Sequence, residues 1–445
     1  MANIIDYLNW RGDITFDERP INDVDNIILA TFSYLDLTGI VPPPKSESVS
    51  FAHACQAVLE DTGGDVDLRV RSLAKLDPSL LTRLADSRRF GHARLHSYMD
   101  VLDETRALQF AAVQIDLTDT ETYVSFRGTD STLVGWREDF MLSFSMTESQ
   151  RLAALYLEDA AKLALKRGRK LYVGGHSKGG NLAVYGALSC PIDLLPVINR
   201  VWSNDGPGIS PELMPVSPQM LLGERYSRIV PEDDVIGMIF EREDDPRTII
   251  KTSSSSMRAH DPFTWQVTPF GADEAGDLTT SSKAIRNAIS TWTSEVPLED
   301  RGTLVDELFD ALESGGAKTT EDLVSSVQSV STVLSALNNM DTRTKELGMS
   351  LVETVVTSSL DMTTLSVRES LSQAFKVARE SARDRGWMTD GNTAVDSATA
   401  ILRTARDAFL ARLDGTSRLE EPADVQEEPS DAVDRELPAA EDEQG

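Results

Sequence analysis

Residues 170–188 constrain the fold more than any other stretch of this chain. Lys170-Leu171-Tyr172-Val173-Gly174-Gly175 is a short apolar run, Gly175-His176-Ser177-Lys178-Gly179 follows, and Asn181 to Leu188 is helix-forming. A strand that turns sharply into a helix belongs to a mostly parallel sheet covered by helices on both faces. The flanking glycines lack Cβ atoms where strand and helix approach closely. The new helix aims its N-terminus at the turn and favours negative charge there. G-x-S-x-G alone is a weak pattern: with Gly at roughly 7 % of residues, a long chain contains a chance match about one time in five. The strand before it and the helix after it make it the setting of a serine nucleophile raised at the carboxyl end of a sheet, with Ser177 as that nucleophile. A phosphate cradle would require G-x-x-x-x-G-K-[ST], which the sequence lacks.

The rest of the chain supplies the layers. Residues 1 to about 100 read mainly as helices, with Val24, Ile27, Ile28, Thr31, Tyr34 and Leu35 at helical spacing. Phe51 to Leu59 has the same spacing, and Pro42-Pro43-Pro44 breaks the chain between the two. From Leu108 the pattern changes. Phe110 to Ile115 and Thr122 to Phe126 flank the turn residues Thr118 to Glu121 and predict an antiparallel hairpin. Helices are expected over about 134–143 and 149–166, and strands within Val197–Trp202, Arg228–Val230 and Thr248–Lys251. After about residue 280 the strand signal stops. Leu304–Leu312, Thr320–Leu337, Lys345–Ser359, Ser366–Arg385 and Thr393–Leu413 read as amphipathic helices. The expected organisation is a helical segment (1–100) packing on an α/β core (101–280), a helical accessory region (281–418) and a disordered acidic tail (419–445).

Charge and cysteine content narrow the function. The formal net charge of −29 repels nucleic acid and anionic membrane surfaces. No apolar run reaches eighteen residues, so no membrane anchor is expected, and the start of the chain has no basic segment followed by an apolar one. Two cysteines, Cys55 and Cys190, fit a reducing cytoplasm. No Cys/His spacing suggests a zinc site, and no cofactor is expected. The tail from Glu420 to Gly445 reads as a solubilising segment, or as one that binds a protein partner.

A serine hydroxyl needs a base, and the chain order in this kind of sheet is Ser, acid, His. His260 is the one histidine after Ser177; it follows the run Ser253 to Ser256, beyond the strand at Thr248–Lys251. His176 adjoins the nucleophile and is expected to point away from its hydroxyl. Three residues compete for the acid: Asp234 and Asp233, after the strand ending at Val230-Pro231, and Asp205, in Asn204-Asp205-Gly206-Pro207-Gly208, after the strand before it. Asp261 reads as a local turn former. The oxyanion needs two aimed N–H donors. Lys178, the residue after the nucleophile, is one, and Thr129, beside Gly128 at the end of the second hairpin strand, is the other.

These segments resemble the class 3 lipases, a fungal-lipase-like branch of the α/β hydrolases. Val124-Ser125-Phe126-Arg127-Gly128-Thr129, followed by Trp136 and Asp139, is similar to that family's F-R-G-[ST]…W…D stretch, and Gly175 to Gly180 to its G-H-S-x-G-G elbow. The resemblance implies Ser177 as nucleophile, Thr129 and Lys178 as oxyanion donors, an acid near Asp234 in Asp234-Val235-Ile236, and His260 as base. More narrowly, the chain resembles the Mbeg-like bacterial group. The shared stretches are Tyr7-Leu8-Asn9-Trp10-Arg11-Gly12-Asp13, the elbow Gly175 to Ala183, Asn204 to Gly208 and His260 to Trp265. Relatives in that group often carry serine near positions 233 and 234, which favours Asp205. Lys178 stands where lipases commonly have an apolar residue, and only Leu133-Val134-Gly135 follows Thr129 where a long apolar lid would lie. Neither departure suits action on fat droplets. The expected activity is therefore hydrolysis of a small-molecule carboxylic ester or thioester through an acyl-enzyme. An acyltransferase, or a non-catalytic scaffold of the same fold, are the alternatives.

Overall fold

The computed structural model describes residues 1–313 except 72–75, 104–107, 130–136, 139–140, 143, 235, 243, 281, 284–285, 288–289 and 291–296. The helices expected at 320–337, 345–359, 366–385 and 393–413, and the acidic tail, lie outside the described residues.

Eight strands form one sheet in chain order: β1 (Val49–Ser50), β2 (Arg94–Asp103), β3 (Leu108–Asp116), β4 (Glu121–Phe126), β5 (Lys170–His176), β6 (Ile198–Asn204), β7 (Tyr226–Pro231) and β8 (Thr248–Ile250). β1 to β4 pair antiparallel and β4 to β8 parallel. The β3–β4 hairpin is the one expected from the alternation around Thr118–Glu121. The sheet starts earlier than the sequence suggests, because β2 lies within the stretch that reads as helical. Its alternation is broken by a bulge between His96 and Met99, with Ser97 at φ 55°.

Alternate residues of the strands feed two cores. On one face Phe110, Val124, Phe126, Val173 and Val201 pack against α5 (Glu148–Arg167) and α6 (Lys178–Ser189). On the other, Tyr123, Tyr172, Trp202 and Ile229 pack against α1 (Ile4–Arg11), α2 (Asp23–Phe32), α3 (Phe51–Asp61) and α4 (Pro78–Asp86). α2 is the deepest of these, buried from Val24 to Phe32. Asn22 caps it by accepting from Val24 N and Asp25 N, while Asp25 accepts from Asn22 N. α7 (Pro218–Leu222) joins β6 to β7, and α8 (Leu298–Glu313) follows the core. A mostly parallel sheet between helical layers, with a strand–turn–helix at Ser177, is the α/β-hydrolase arrangement. Among the described residues no helix is long and apolar enough to cross a membrane.

Candidate active site

The strand register brings the expected residues to one rim. Phe126 lies opposite Gly175, His176 opposite Asn204, and Asn204 opposite Ile229. The loops after β4, β5, β6 and β7 therefore leave the sheet side by side at its carboxyl edge.

Ser177 sits between β5 and α6 at φ 57°, ψ −131°, a conformation that costs a residue with a Cβ of order 1–3 kcal/mol. The neighbours hold it there. Ser177 N donates to Asn204 O at 2.9 Å, and Gly180 N donates to Ser177 O at 2.9 Å. The Asn204 amide donates to Gly175 O at 3.0 Å and accepts from Asn26 Nδ2 at 2.8 Å; Tyr123 OH donates to Asn26 Oδ1 at 2.8 Å. α2 thus braces the elbow from beneath the sheet. A Cβ at Gly179 would overlap the backbone oxygen of Phe126 and lie 2.9 Å from Phe126 C and 3.0 Å from Arg127 C. Gly179→Ala is expected to cost about 1–3 kcal/mol, because backbone rather than a flexible side chain has to give. Thermal unfolding checks this, and an unchanged melting temperature would contradict it.

His260 ends a 3-10 turn, Ser256–His260, beyond β8. Its Nδ1 lies 2.6 Å from Asp205 Oδ2, with the carboxyl fully buried. A carboxylate only accepts, so Nδ1 carries the hydrogen and Nε2 is left as the basic nitrogen. Burial pushes the Asp205 carboxyl up to about 6, against hydrogen bonds from Asp234 and Gly237 N and the charge of Arg228. The sequence left three acids open, and the structure separates them. Asp205 is in contact with the imidazole because β6 is next to the elbow strand and Asp205 turns back at φ 49°. Asp234, after β7, is buried beside Asp205, and both accept from Gly237 N, at 2.8 and 3.0 Å. Asp233 accepts from Thr279 Oγ1 at 2.8 Å and Ser282 Oγ at 3.4 Å. Of the three candidates, Asp205 is the one in hydrogen-bond contact with His260.

His176 has both nitrogens engaged. Nε2 meets His260 O at 2.8 Å, and Nδ1 meets Tyr34 OH at 2.8 Å. Burial, then the charge of His260, holds its pKa well below the usual histidine value, so the ring is neutral. A carbonyl only accepts, so Nε2 carries the hydrogen and Tyr34 OH donates to Nδ1. The two histidine rings lie 4.4 Å apart, and the bond from His176 Nε2 ties the His260 backbone to the elbow. The His260 loop is held from other directions as well. Trp265 Nε1 donates to Ala259 O at 2.7 Å, Asp261 Oδ1 accepts from Phe263 N at 2.9 Å, and Asn3 Nδ2 donates to Phe263 O at 3.0 Å.

Thr129 and Lys178 are both buried at this rim. As the first residue of α6, Lys178 has an N–H without an intrahelical acceptor. The loop carrying Thr129 is anchored by Arg127, whose Nη1 and Nη2 clasp Asp100 Oδ2 and Oδ1 at 2.8 and 2.9 Å. Gly128 is pressed against the elbow, since a Cβ there would lie 2.6 Å from His176 O. The Lys178 side chain is fully buried against Glu138, with Nζ 2.5 Å from Oε2, and Ser149 Oγ donates to Glu138 Oε1 at 2.6 Å. Trp136 and Asp139 lie outside the described residues. Sequence reading missed Glu138, Tyr34, Asn26 and Arg228. A Lys in the tight turn after Ser177 is a signal that some carboxylate must meet it; nothing local marks the other three.

A profile of the Mbeg1-like family matches residues 84–310. No curated protein matches the sequence. Among solved structures, the Rhizomucor miehei lipase–propeptide complex is 17 % identical over 63 % of this chain and 76 % of that one, with TM-score 0.32. A fungal lipase–inhibitor complex is 15 % identical over 63 % and 89 %, with TM-score 0.33, and M37 lipase is 14 % identical over 60 % and 80 %, with TM-score 0.31.

Proposed function

The chain belongs to the Mbeg1-like family, and we propose that it is a serine hydrolase cleaving a carboxylic ester or thioester. The observation that carries this reading is the 2.6 Å contact of Asp205 with His260, at the rim where the strained Ser177 stands. In the proposed reaction His260 Nε2 takes the Ser177 proton as Oγ attacks the acyl carbonyl. Asp205 holds the imidazole in the tautomer with Nε2 basic and supports its positive charge. The N–H groups of Lys178 and Thr129 receive the oxyanion. His260 then returns the proton to the leaving alcohol or thiol, and water, activated by the same nitrogen, releases the acid.

A fluorophosphonate probe is expected to label the protein at Ser177, with no labelling of Ser177→Ala and no turnover of an ester panel by that variant. Failure of the wild-type chain to label would overturn the reading. The panel, graded in acyl length, reads the substrate class at the same time.

The pH dependence follows from the acid. With Asp205 pushed up to about 6 by burial, lowering the pH through that value protonates it and removes the negative charge beside His260. kcat/KM is expected to fall about tenfold per pH unit below about pH 6. A rate flat down to pH 4.5 would contradict this.

A further inference from the structure

The acid beside His260 is not a lone carboxylate. Asp205 and Asp234 come from the connections after β6 and β7, both are buried, and they converge on one backbone N–H. Gly237 N lies 2.8 Å from Asp234 Oδ1 and 3.0 Å from Asp205 Oδ1. A Cβ at Gly237 would lie 2.6 Å from Asp205 Oδ1 and 2.7 Å from Asp234 Oδ2, so the two carboxyls close over a position only glycine fits. Two carboxyls this close and this deeply buried do not both ionise. One proton stays between them.

We propose that Asp234 is a positioning residue for the Asp205–His260 pair: as a carboxylic acid it donates its hydrogen to the Asp205 carboxylate and fixes Oδ2 toward the imidazole. This rests on the hydrolase reading above. Asp234 is the member that keeps the proton, for three reasons. Asp205 already accepts from His260 Nδ1, which favours its ionised form. Burial, then the charge of Asp205 and the hydrogen bond to it, drives the Asp234 carboxyl well above the usual range. Arg228, the cation facing the pair, is committed elsewhere: Nη1 meets Glu241 Oε1 at 2.6 Å, and Nη2 donates to Gly237 O. On the remaining side Ser282 Oγ donates to the Asp234 backbone oxygen at 2.8 Å, and Asp233 faces Thr279 and Ser282. The proton remains on Asp234 through the cycle, so the imidazolium formed when Ser177 attacks meets one net negative charge on the acid pair. The arrangement spreads that charge over two carboxyls and leaves Asp205 no rotation that would offer His260 a different oxygen.

The test has two arms on the full chain. In the infrared at pH 7 the wild type is expected to show the carbonyl stretch of a buried carboxylic acid, lost in Asp234→Asn and kept in Ser177→Ala. In kinetics, Asp234→Ala is expected to lower kcat about tenfold or more with little change in KM. It is also expected to move the acid limb of kcat/KM up by about one pH unit, because Asp205 loses a donor to its charged form. Asp234→Asn, which keeps an N–H donor, is expected to recover most of the rate and to return the limb to its wild-type position; a purely structural loss would not move the limb at all. An infrared band that survives Asp234→Asn, or an unmoved limb in Asp234→Ala, overturns the proposal. If the band behaves as expected but Ser177 never labels, the hydrolase reading fails and the positioning role with it, while the shared proton stands. If Ser177 labels and the band is absent, the carboxyl pair alone is wrong.

Discussion

Asp205→Asn is expected to lower kcat/KM about ten-thousandfold while leaving the folded structure intact, the size of effect a triad carboxylate produces by setting the tautomer of its histidine. The wild-type Oδ2 sits 2.6 Å from His260 Nδ1 and can only accept, so the ring hydrogen stays on Nδ1 and Nε2 is the base. An amide at 205 can turn its NH2 toward Nδ1. The ring hydrogen then moves to Nε2, where it blocks transfer from Ser177. The amide is close in size to the carboxylate, and the bond from Gly237 N can be kept by its oxygen. Ester hydrolysis and the rate of fluorophosphonate labelling should fall together, with circular dichroism unchanged. Asp233→Asn is the control. Its carboxylate faces Thr279 and Ser282, and its rate should stay within about threefold of wild type. A variant at 205 that keeps full activity would remove Asp205 from the reaction.

The largest effect on stability is expected at Arg89, away from the Ser177 elbow. Its guanidinium is essentially unexposed and clasps Asp25 through Nε to Oδ1 at 2.7 Å and Nη2 to Oδ2 at 2.5 Å. Nη1 donates to Ile14 O, Thr15 O and Arg19 O, Nη2 to Pro20 O, and the guanidinium lies 4.1 Å from the centre of the Phe16 ring. Arg89→Met fills much of the volume but removes the charge. Among the described residues Asp25 is then a buried carboxylate facing Tyr7 OH, at 3.2 Å, and the Asn22 N–H. Breaking a buried pair from one side costs about 3–5 kcal/mol. The loop 14–20, closed over the guanidinium, loses its carbonyl partners at the same time. The urea midpoint measures the loss, and a change under about 1 kcal/mol would contradict the account. Removing both charges, in Arg89→Met with Asp25→Asn, should return part of the stability.

What could be read from the residues was the chemistry that depends on local shape. The elbow at Ser177 announces itself because glycines at 175 and 179 are forced by backbone contact, and because a strand and a helix flank them. His260 is singled out by its place in the chain, as the histidine that follows Ser177. The acid was different. Asp205 and Asp234 both follow strands that end at the same rim, and the choice between them lies in a bend of positive φ at Asp205 and in the order of strands, neither of which a residue name encodes. β2 escaped for a related reason: its bulge at Ser97 breaks the two-residue period by which a strand is recognised. Lys178 and Glu138 stand 40 residues apart, and only the fold makes them partners. The same holds for Asn26, whose bond to Asn204 spans 178 residues.

The bond from Asn3 to Phe263 bears on when the site comes into being as well as where it lies. It joins positions 260 residues apart, next to the histidine on which the proposed chemistry turns. Closing so long a loop adds little to the equilibrium cost, which grows only with the logarithm of length, but contacts of this separation form late. During synthesis the N-terminal helices and β5 emerge well before the His260 loop that they will hold. A partly folded chain can therefore expose a serine on its turn without owning a base to activate it. Under the proposed reaction, reactivity would then appear only once the His260 loop, which lies beyond the last strand of the sheet, has docked.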